Sequence, residues 1–304
     1  MAAATTRYAP AMPSFLDRVH ALPHLGLGVS TEYGATDRVN ALDPVALREE
    51  NPAWAAFLEV GVEVSVGLDV HAVRWAERGW PTIYHFLDVN LDDPADFGPR
   101  WLDQVREVIE MLQPAWLCGD AGLWHFGRRD RGHMLLLPPV LMPEAVGPMA
   151  DGLHTLRAAT GLEILPENPP GSAFLGDLHL LDFFARVIEA ADTGMLIDCA
   201  HLAMFQRARG LDPLTALDGF PCDRVVELHI AGGTVRDHEG FAWVDDDHGS
   251  EILPETWQIA EYLTARAPNL KAVVIECERN PIDVVRPLFG ETAARWGAAA
   301  GQSR

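Results

Sequence analysis

Residues 196–205 read LIDCAHLAMF. The run Met195, Leu196, Ile197 is apolar and β-like, yet it stops on Asp198, with His201 three residues further on. A charged side chain at the end of a buried strand needs a partner, because desolvating an unpaired charge is costly. Side chains alternate along a strand, so a spacing of three is off parity. The chain must therefore have left the strand by His201, which is expected to return toward Asp198 from the loop above.

The fold follows from how often this pattern recurs. Apolar, β-rich runs fall at 25–30, 57–64, 82–88, 115–120, 163–168, 194–199, 224–230 and 271–277. Amphipathic helical runs lie between them, most clearly at 100–112, 143–160, 177–192 and 254–267, each with an acidic or proline-led start. Strands alternating with helices imply a parallel sheet, and eight such units imply a closed (β/α)8 TIM barrel, an α/β fold of one domain over residues 23–298. An open doubly wound sheet fits less well, since LGLGVS (25–30) lacks the GxGxxG fingerprint and no P-loop occurs. Residues 1–22 read as a loosely ordered N-terminal appendage and 299–304 as a tail. Long loops at 121–142 and 231–253 fall on the side where barrels carry their active sites.

Composition narrows the function. The 44 acidic and 23 basic residues give a formal charge of −21, which disfavours nucleic acid or an anionic membrane as partner. No apolar run is long enough for a transmembrane helix. The start, MAAATTRYAPAMPSF, has no apolar core of a signal peptide, so a cytoplasmic protein is expected. Cys118, Cys199, Cys222 and Cys277 show no CxxC spacing and suit buried thiols in a reducing compartment.

Every strand after the first bears a metal-ligand residue type. The second carries Glu59 and Glu63, the third His85, the fourth Asp120, and the fifth Glu167 and Asn168. Asp198 follows on the sixth, Glu227 and His229 on the seventh, and Glu276 on the eighth. A single such residue is ordinary turn or cap chemistry. In a barrel all of them converge on one mouth, where crowded carboxylates repel unless protonated or bound to cations. Parity turns Cys199 and Cys277 toward the helices, so the cysteines are expected to pack rather than ligate. The loop after the seventh strand adds Asp246 and His248 within DDDHGSE (245–251). His85, His229 and His248 with Glu167, Asp198, Asp246 and Glu276 form a mixed N/O donor set that suits Fe, Mn, Zn or Co and has room for more than one ion. No GxSxG nucleophile elbow occurs.

In their order, Glu167, Asp198-x-x-His201, His229, Asp246-x-His248 and Glu276 resemble the ligands of the xylose-isomerase-like TIM-barrel superfamily, which includes sugar isomerases, epimerases and endonuclease IV. The wording FLEVGVE (57–63), GDAGLW (119–124), PENPP (166–170), LIDCAH (196–201), ELHIAGG (227–233), DDHG (246–249) and VIECE (274–278) resembles one branch, the multinuclear non-heme iron-dependent oxidases, which include the methanobactin-biosynthesis oxidase. GHMLLLPPVLMPEAV (132–146) resembles the loop after that family's fourth strand. The resemblance implies a soluble oxidoreductase that uses O2 and two or three Fe(II)/Fe(III) ions, with Mn or Zn as alternatives. Its substrate would be a Cys or Asp-like residue of a ribosomally made peptide, or a related small molecule, in natural-product biosynthesis. A partner protein often presents that peptide.

By position, the resemblance assigns metal ligation to His85, Glu167, Asp198, His229, Asp246, His248 and Glu276. His201 joins them, standing where the family tends to have Asn. Gly61, Ala121 and Gly233 stand where family members carry histidine, so a two-metal centre is expected here. Asp120 and Glu63 are candidates to orient ligands or move protons, and Asn168, His125 and Arg128 to contact substrate. His133, Arg129 and Arg131 lie in the same loop, and Trp124 and Trp243 flank the mouth. His20, His24, His71, His154 and His179 read as surface or packing residues. The alternative is a divalent-metal sugar isomerase or epimerase, which the presence of a single lysine, Lys271, weakens. A zinc phosphodiesterase is opposed by the charge, and a binding module that has lost catalysis is left open by Gly61 and Ala121.

Overall fold

In the computed structural model, which describes residues 13–31, 41–127, 129 and 135–300, eight parallel strands close into a barrel. They are β1 (Gly26–Thr31), β2 (Phe57–Val62), β3 (Thr82–Phe86), β4 (Leu117–Asp120), β5 (Ile164–Glu167), β6 (Met195–Asp198) and β7 (Val225–Ala231). The circle is completed by β10 (Ala272–Glu276), which follows an antiparallel hairpin of β8 (Thr234–His238) and β9 (Phe241–Asp245). Closure is the pairing of β10 with β1, from Gly26 opposite Ala272 to Val29 opposite Ile275. All eight expected strands are present, most of them trimmed by a residue or two.

The helices are α1 (Phe15–Arg18), α2 (Pro44–Glu50), α3 (Val70–Ala76), α4 (Pro99–Leu112), α5 (Pro143–Thr160), α6 (Leu180–Ala190), α7 (Cys199–Arg209), α8 (Pro254–Thr264) and α9 (Ile282–Ala300). Proline at the first helical position opens α4, α5 and α8, where its missing N–H costs nothing. α4 buries Trp101, Val105, Val108 and Leu112, one stripe at helical spacing against the barrel. None of the described helices is long and apolar enough to cross a membrane.

Two cores result. Outward-facing strand residues such as Val60, Ile197, Val273 and Ile275 pack under the helices, with Cys199 and Cys277 among them. Inward-facing Phe57, Ile83, Leu165, Leu196, Ala272 and Val274 fill the barrel. Cys118, for which parity gave no helix-facing expectation, lies on the parity of Asp120 and packs inside the barrel. The segment expected as an appendage is, over 13–22, part of the structure. Phe15 and Val19 are fully buried and close the barrel bottom with Trp116, and Arg18 pairs with Glu163 at 2.5 Å and Asp192 at 3.1 Å. Residues 1–12 and 301–304 lie outside the described residues.

Two local differences bear on the site. The chain does not leave β6 through a loop. It passes directly into α7, whose N-cap is Asp198. The stretch expected as an open loop at 231–253 contains the β8–β9 hairpin. Its turn is Glu239-Gly240, with φ of 52° and 84°, the pair of positive angles that a two-residue type I′ connection requires.

Candidate metal centre

The C-terminal ends of the strands enclose a cavity of about 230 Å³. Its polar lining includes Glu59, His85, Asp120, His201, Asp246, His248, Glu276 and Glu278, with Arg279, Ser30 and Thr31 beside them, and Leu87, Trp124, Leu136 and Pro170 form an apolar wall. Parity explains the convergence. His85, Asp120, Glu167, Asp198 and Glu276 take the inward position nearest the mouth of their strands, while Glu59 and His229 each sit one inward position deeper, below Gly61 and Ala231. Register aligns them, with Asp120 opposite Glu167, Asp198 opposite His229 and Gly61 opposite His85.

Asp198, His229 and Glu276 each place one donor atom within 4.8 Å of the others. So do Glu167, Asp198 and His201, and so do His85, Asp120 and Glu167. Asp198 belongs to the first two groups and Glu167 to the last two, so the groups form a chain linked through shared carboxylates. Asp246 and His248 flank it: Asp246 Oδ2 lies 3.2 Å from His201 Nε2 and 3.5 Å from His248 Nε2. His248 Nε2 also lies 3.9 Å from Glu276.

The donor set passes a direct test of fit to cations. Asp120 Oδ1, Glu167 Oε1, Asp198 Oδ2, Asp246 Oδ1, Glu276 Oε2 and His229 Nδ1 are buried without a hydrogen-bond partner. Orphaned buried polar atoms are rare and expensive, and here they crowd together at one place. Hard carboxylate oxygens with imidazole nitrogens suit divalent iron, manganese or zinc.

Electrostatics carry the same imprint. Burial pulls the His85 imidazolium toward neutrality, but Glu59, Glu167 and Asp120 outweigh it and lift its pKa to about 9. His201, His229 and His248 are likewise raised by the carboxylates around them, against burial. Burial, with Glu276 and Glu167, pushes Asp198 up to about 7, and burial with Glu167 pushes Asp120 well above the carboxylate range. Glu167 is held down at about 2, its burial overcome by His229 and His85. Protons here do the work that cations would otherwise do.

Every residue expected to ligate metal lies in this assembly. The other candidates divide. Asp120 lines the cavity, 3.7 Å from His201 Nδ1. Glu63 does not reach it: the chain has left β2, and its carboxylate accepts from Ser65 Oγ in an exposed turn. Asn168 is spent on the scaffold, its side chain bonding the backbone N–H and C=O of Asp198 while its own carbonyl lies 2.9 Å from His201 Nδ1. His125 is buried beside Asp96, its Nε2 2.9 Å from the carboxylate and away from the cavity lining. Arg129 stacks over Trp101 near Asp88 and Asp96. Arg128, Arg131 and His133 lie outside the described residues. Trp124 lines the cavity, whereas Trp243 lines a smaller pocket against α7.

Glu278 escaped the sequence reading. Its Oε1 lies 2.5 Å from His248 Nδ1 and its Oε2 accepts from Ser30, so it buttresses His248. The signal was the i, i+2 pair Glu276-x-Glu278 just past the strand. Deeper in the barrel, Glu59 and Glu227 take hydrogen bonds from Cys118 and Trp116 respectively.

A family model described as "RiPP precursor modification enzyme MbnB/TglH/ChrH" matches residues 34–294. The chain belongs to this family. A UPF0276 protein of Neisseria meningitidis serogroup C is 26% identical over 267 residues, covering 85% of this chain and 89% of that protein. Another from Anaeromyxobacter is 22% identical over 210 residues, covering 68% and 71%. Among solved structures, a xylose isomerase-like TIM barrel protein from Mycobacterium smegmatis in complex with magnesium superposes with a TM-score of 0.57 at 11% identity, covering 95% of this chain and 99% of that one. A D-psicose 3-epimerase gives 0.56 at 10% identity, covering 90% and 99%. These likenesses extend to the fold. The family membership makes the chain one of a group of enzymes that modify ribosomal precursor peptides.

Proposed function

We propose that this enzyme holds two iron ions at the barrel mouth and uses O2 to oxidise a residue, Cys or Asp-like, of a precursor peptide. The observation that carries the reading is the chain of donor groups joined through Asp198 and Glu167, with orphaned buried atoms along it and those of Asp120, Asp246 and Glu276 on residues that line one cavity. His201, His229, Glu167, Asp198 and Glu276 would hold one part of the centre and His85 and Glu167 the other, with Asp246 and His248 completing it. Iron bound there would supply electrons to O2 and a Lewis-acid site for a thiolate or carboxylate.

The chain's own residues do the rest. Leu87, Trp124, Leu136 and Pro170 keep water from one side of the cavity. Asp120, raised by burial and by Glu167, holds a proton at the cavity wall. Asn168 and Glu278 fix His201 and His248 in place. The peptide would enter from the open mouth, and a partner protein presenting it would have to approach that same side.

The test is metal content of anaerobically purified protein, followed by O2 uptake on reconstitution with Fe(II). Iron retention with O2 consumption is expected. Binding of Mn, Mg or Zn with no oxygen chemistry would instead favour a metal-dependent isomerase or epimerase.

A further inference from the structure

His229 is fully buried at the centre of the donor chain, and its two ring nitrogens face different surroundings. Nε2 lies 3.0 Å from Glu59 Oε2 in a hydrogen bond. Nδ1 lies 3.3 Å from Glu167 Oε1, 3.3 Å from Glu276 Oε1 and 3.9 Å from Asp198 Oδ2, without an aligned hydrogen bond to any of them. Glu59 is itself buried, and the same Oε2 accepts from Cys118 Sγ at 3.2 Å. An ionised carboxylate oxygen has only lone pairs to present, so its neighbour must be a hydrogen-bond donor or a cation, never another lone pair.

We propose that Glu59 fixes the tautomer of His229. Nε2 carries the proton and gives it to Glu59, so Nδ1 is the nitrogen presented to metal. The lone pair of Nδ1 then meets the orphaned oxygens of Glu167 and Asp198, an arrangement that repels unless a cation stands among them. Glu59 is a positioning residue: it sets ring orientation and basicity from below, as carboxylates behind metal-bound histidines do. The inference rests on the metal reading above but not on the identity of the metal or on O2. A rival arrangement makes Glu59 itself a ligand, since it can also place an oxygen within 4.8 Å of donor atoms of His85 and His229. In that case Nε2 of His229 would carry the metal.

The experiment uses the full chain loaded with Zn(II), a diamagnetic probe. Long-range ¹H–¹⁵N correlation of the histidine rings, with His229 assigned by its loss in His229→Gln, should show Nε2 protonated and Nδ1 shifted by metal. Zinc competition against a chelator should show ~10- to 100-fold weaker binding in Glu59→Gln. Cys118→Ala, which touches Glu59 but not the ring, should stay within about twofold of the parent, since it leaves the Glu59–His229 bond in place. A metal-shifted Nε2, or Glu59→Gln with unchanged affinity, overturns the proposal while leaving the metal centre standing. A parent chain that binds no zinc overturns both.

Discussion

Asp198 caps the helix that carries His201. Its Oδ1 accepts the His201 backbone N–H at 2.6 Å, while its Oδ2 faces the His201 and His229 rings at 3.8 and 3.9 Å. One carboxylate therefore does two separable things, ending β6 and starting α7 with one oxygen and joining the donor groups with the other. Asparagine caps helices about as well as aspartate but brings no charge. Asp198→Asn should leave the melting temperature of metal-free protein equal to or above the parent, since it relieves crowding with Glu167 and Glu276, while metal retention is lost. Asp198→Ala should lose retention and in addition about 1 kcal/mol of stability from the missing cap. Equal melting of the two variants would show that the cap contributes nothing.

Metal stabilisation should grow with pH. In the metal-free chain His85 titrates near 9 and Asp198 near 7, both above their ordinary values. For His85 the sign is that of a base raised on folding: its stabilisation is complete below the unfolded value and is lost as pH rises through about 9. For Asp198 the folded state binds its proton more tightly than the unfolded, so stability falls as pH rises from the ordinary carboxylate value to about 7. Together they weaken the metal-free protein from roughly pH 4 to 9, Asp198 over the lower part up to about 7 and His85 over the upper part up to about 9, and a metal must displace whichever proton is still bound. The rise in melting temperature on adding Zn(II) should therefore increase steadily over that range. A flat increment would mean that these groups do not ligate.

Gly61 and Gly233, the two glycines at which the resemblance led to an expectation of histidine, should respond in opposite ways to a histidine placed there. Gly61 lines the cavity in register with His85, so Gly61→His places an imidazole beside the donor chain. Metal stoichiometry measured by elemental analysis should rise. At Gly233 a Cβ would meet Val244 Cγ1 at 2.8 Å and the Asp245 carbonyl at 3.3 Å, because the β8–β9 hairpin folds back there. Gly233→His should cost roughly 1–3 kcal/mol by overpacking and add no metal. A rise in metal content at Gly233 would show that the hairpin yields.

Strand-end chemistry made the barrel and the cluster of donor groups at its mouth legible, because parity and closure leave an inward carboxylate nowhere else to go. His85, Glu167, Asp198, His229 and Glu276 follow from that logic alone. The rest depends on what the chain does once it leaves a strand, which alternation does not constrain. Glu63 shares the Glu59 face only if the second strand runs over 57–64; the strand ends at Val62, two residues earlier. α7 was overlooked because its residues from Cys199 to Gln206 are buried all round, so no polar face marks a helical period. The β8–β9 hairpin was missed because Glu239-Gly240 is a weaker turn signal than Asn-Gly. Asn168 and Glu278 hold the rings or backbone of His201, Asp198 and His248 in place, a role that is visible only in the distances.

The N-terminal segment should prove to be structural rather than dispensable. Phe15 is fully buried beneath the barrel, its backbone N–H bonds Asp192 at 2.9 Å, and a Cβ at Gly194 would strike its ring at 2.6 Å. That contact explains the glycine just before β6: a side chain there would expel the plug. Phe15→Ala should destabilise the protein by about 3–5 kcal/mol, the range for emptying a buried aromatic site. The donor groups stand at the opposite end of the barrel, so metal stoichiometry at a temperature below the new melting point should not change. Gly194→Ala should reproduce the loss of stability by pushing the ring from the other side. Thermal melting with elemental analysis on both variants is the check, and a Phe15→Ala protein that melts with the parent would mean that the barrel bottom is closed without the plug.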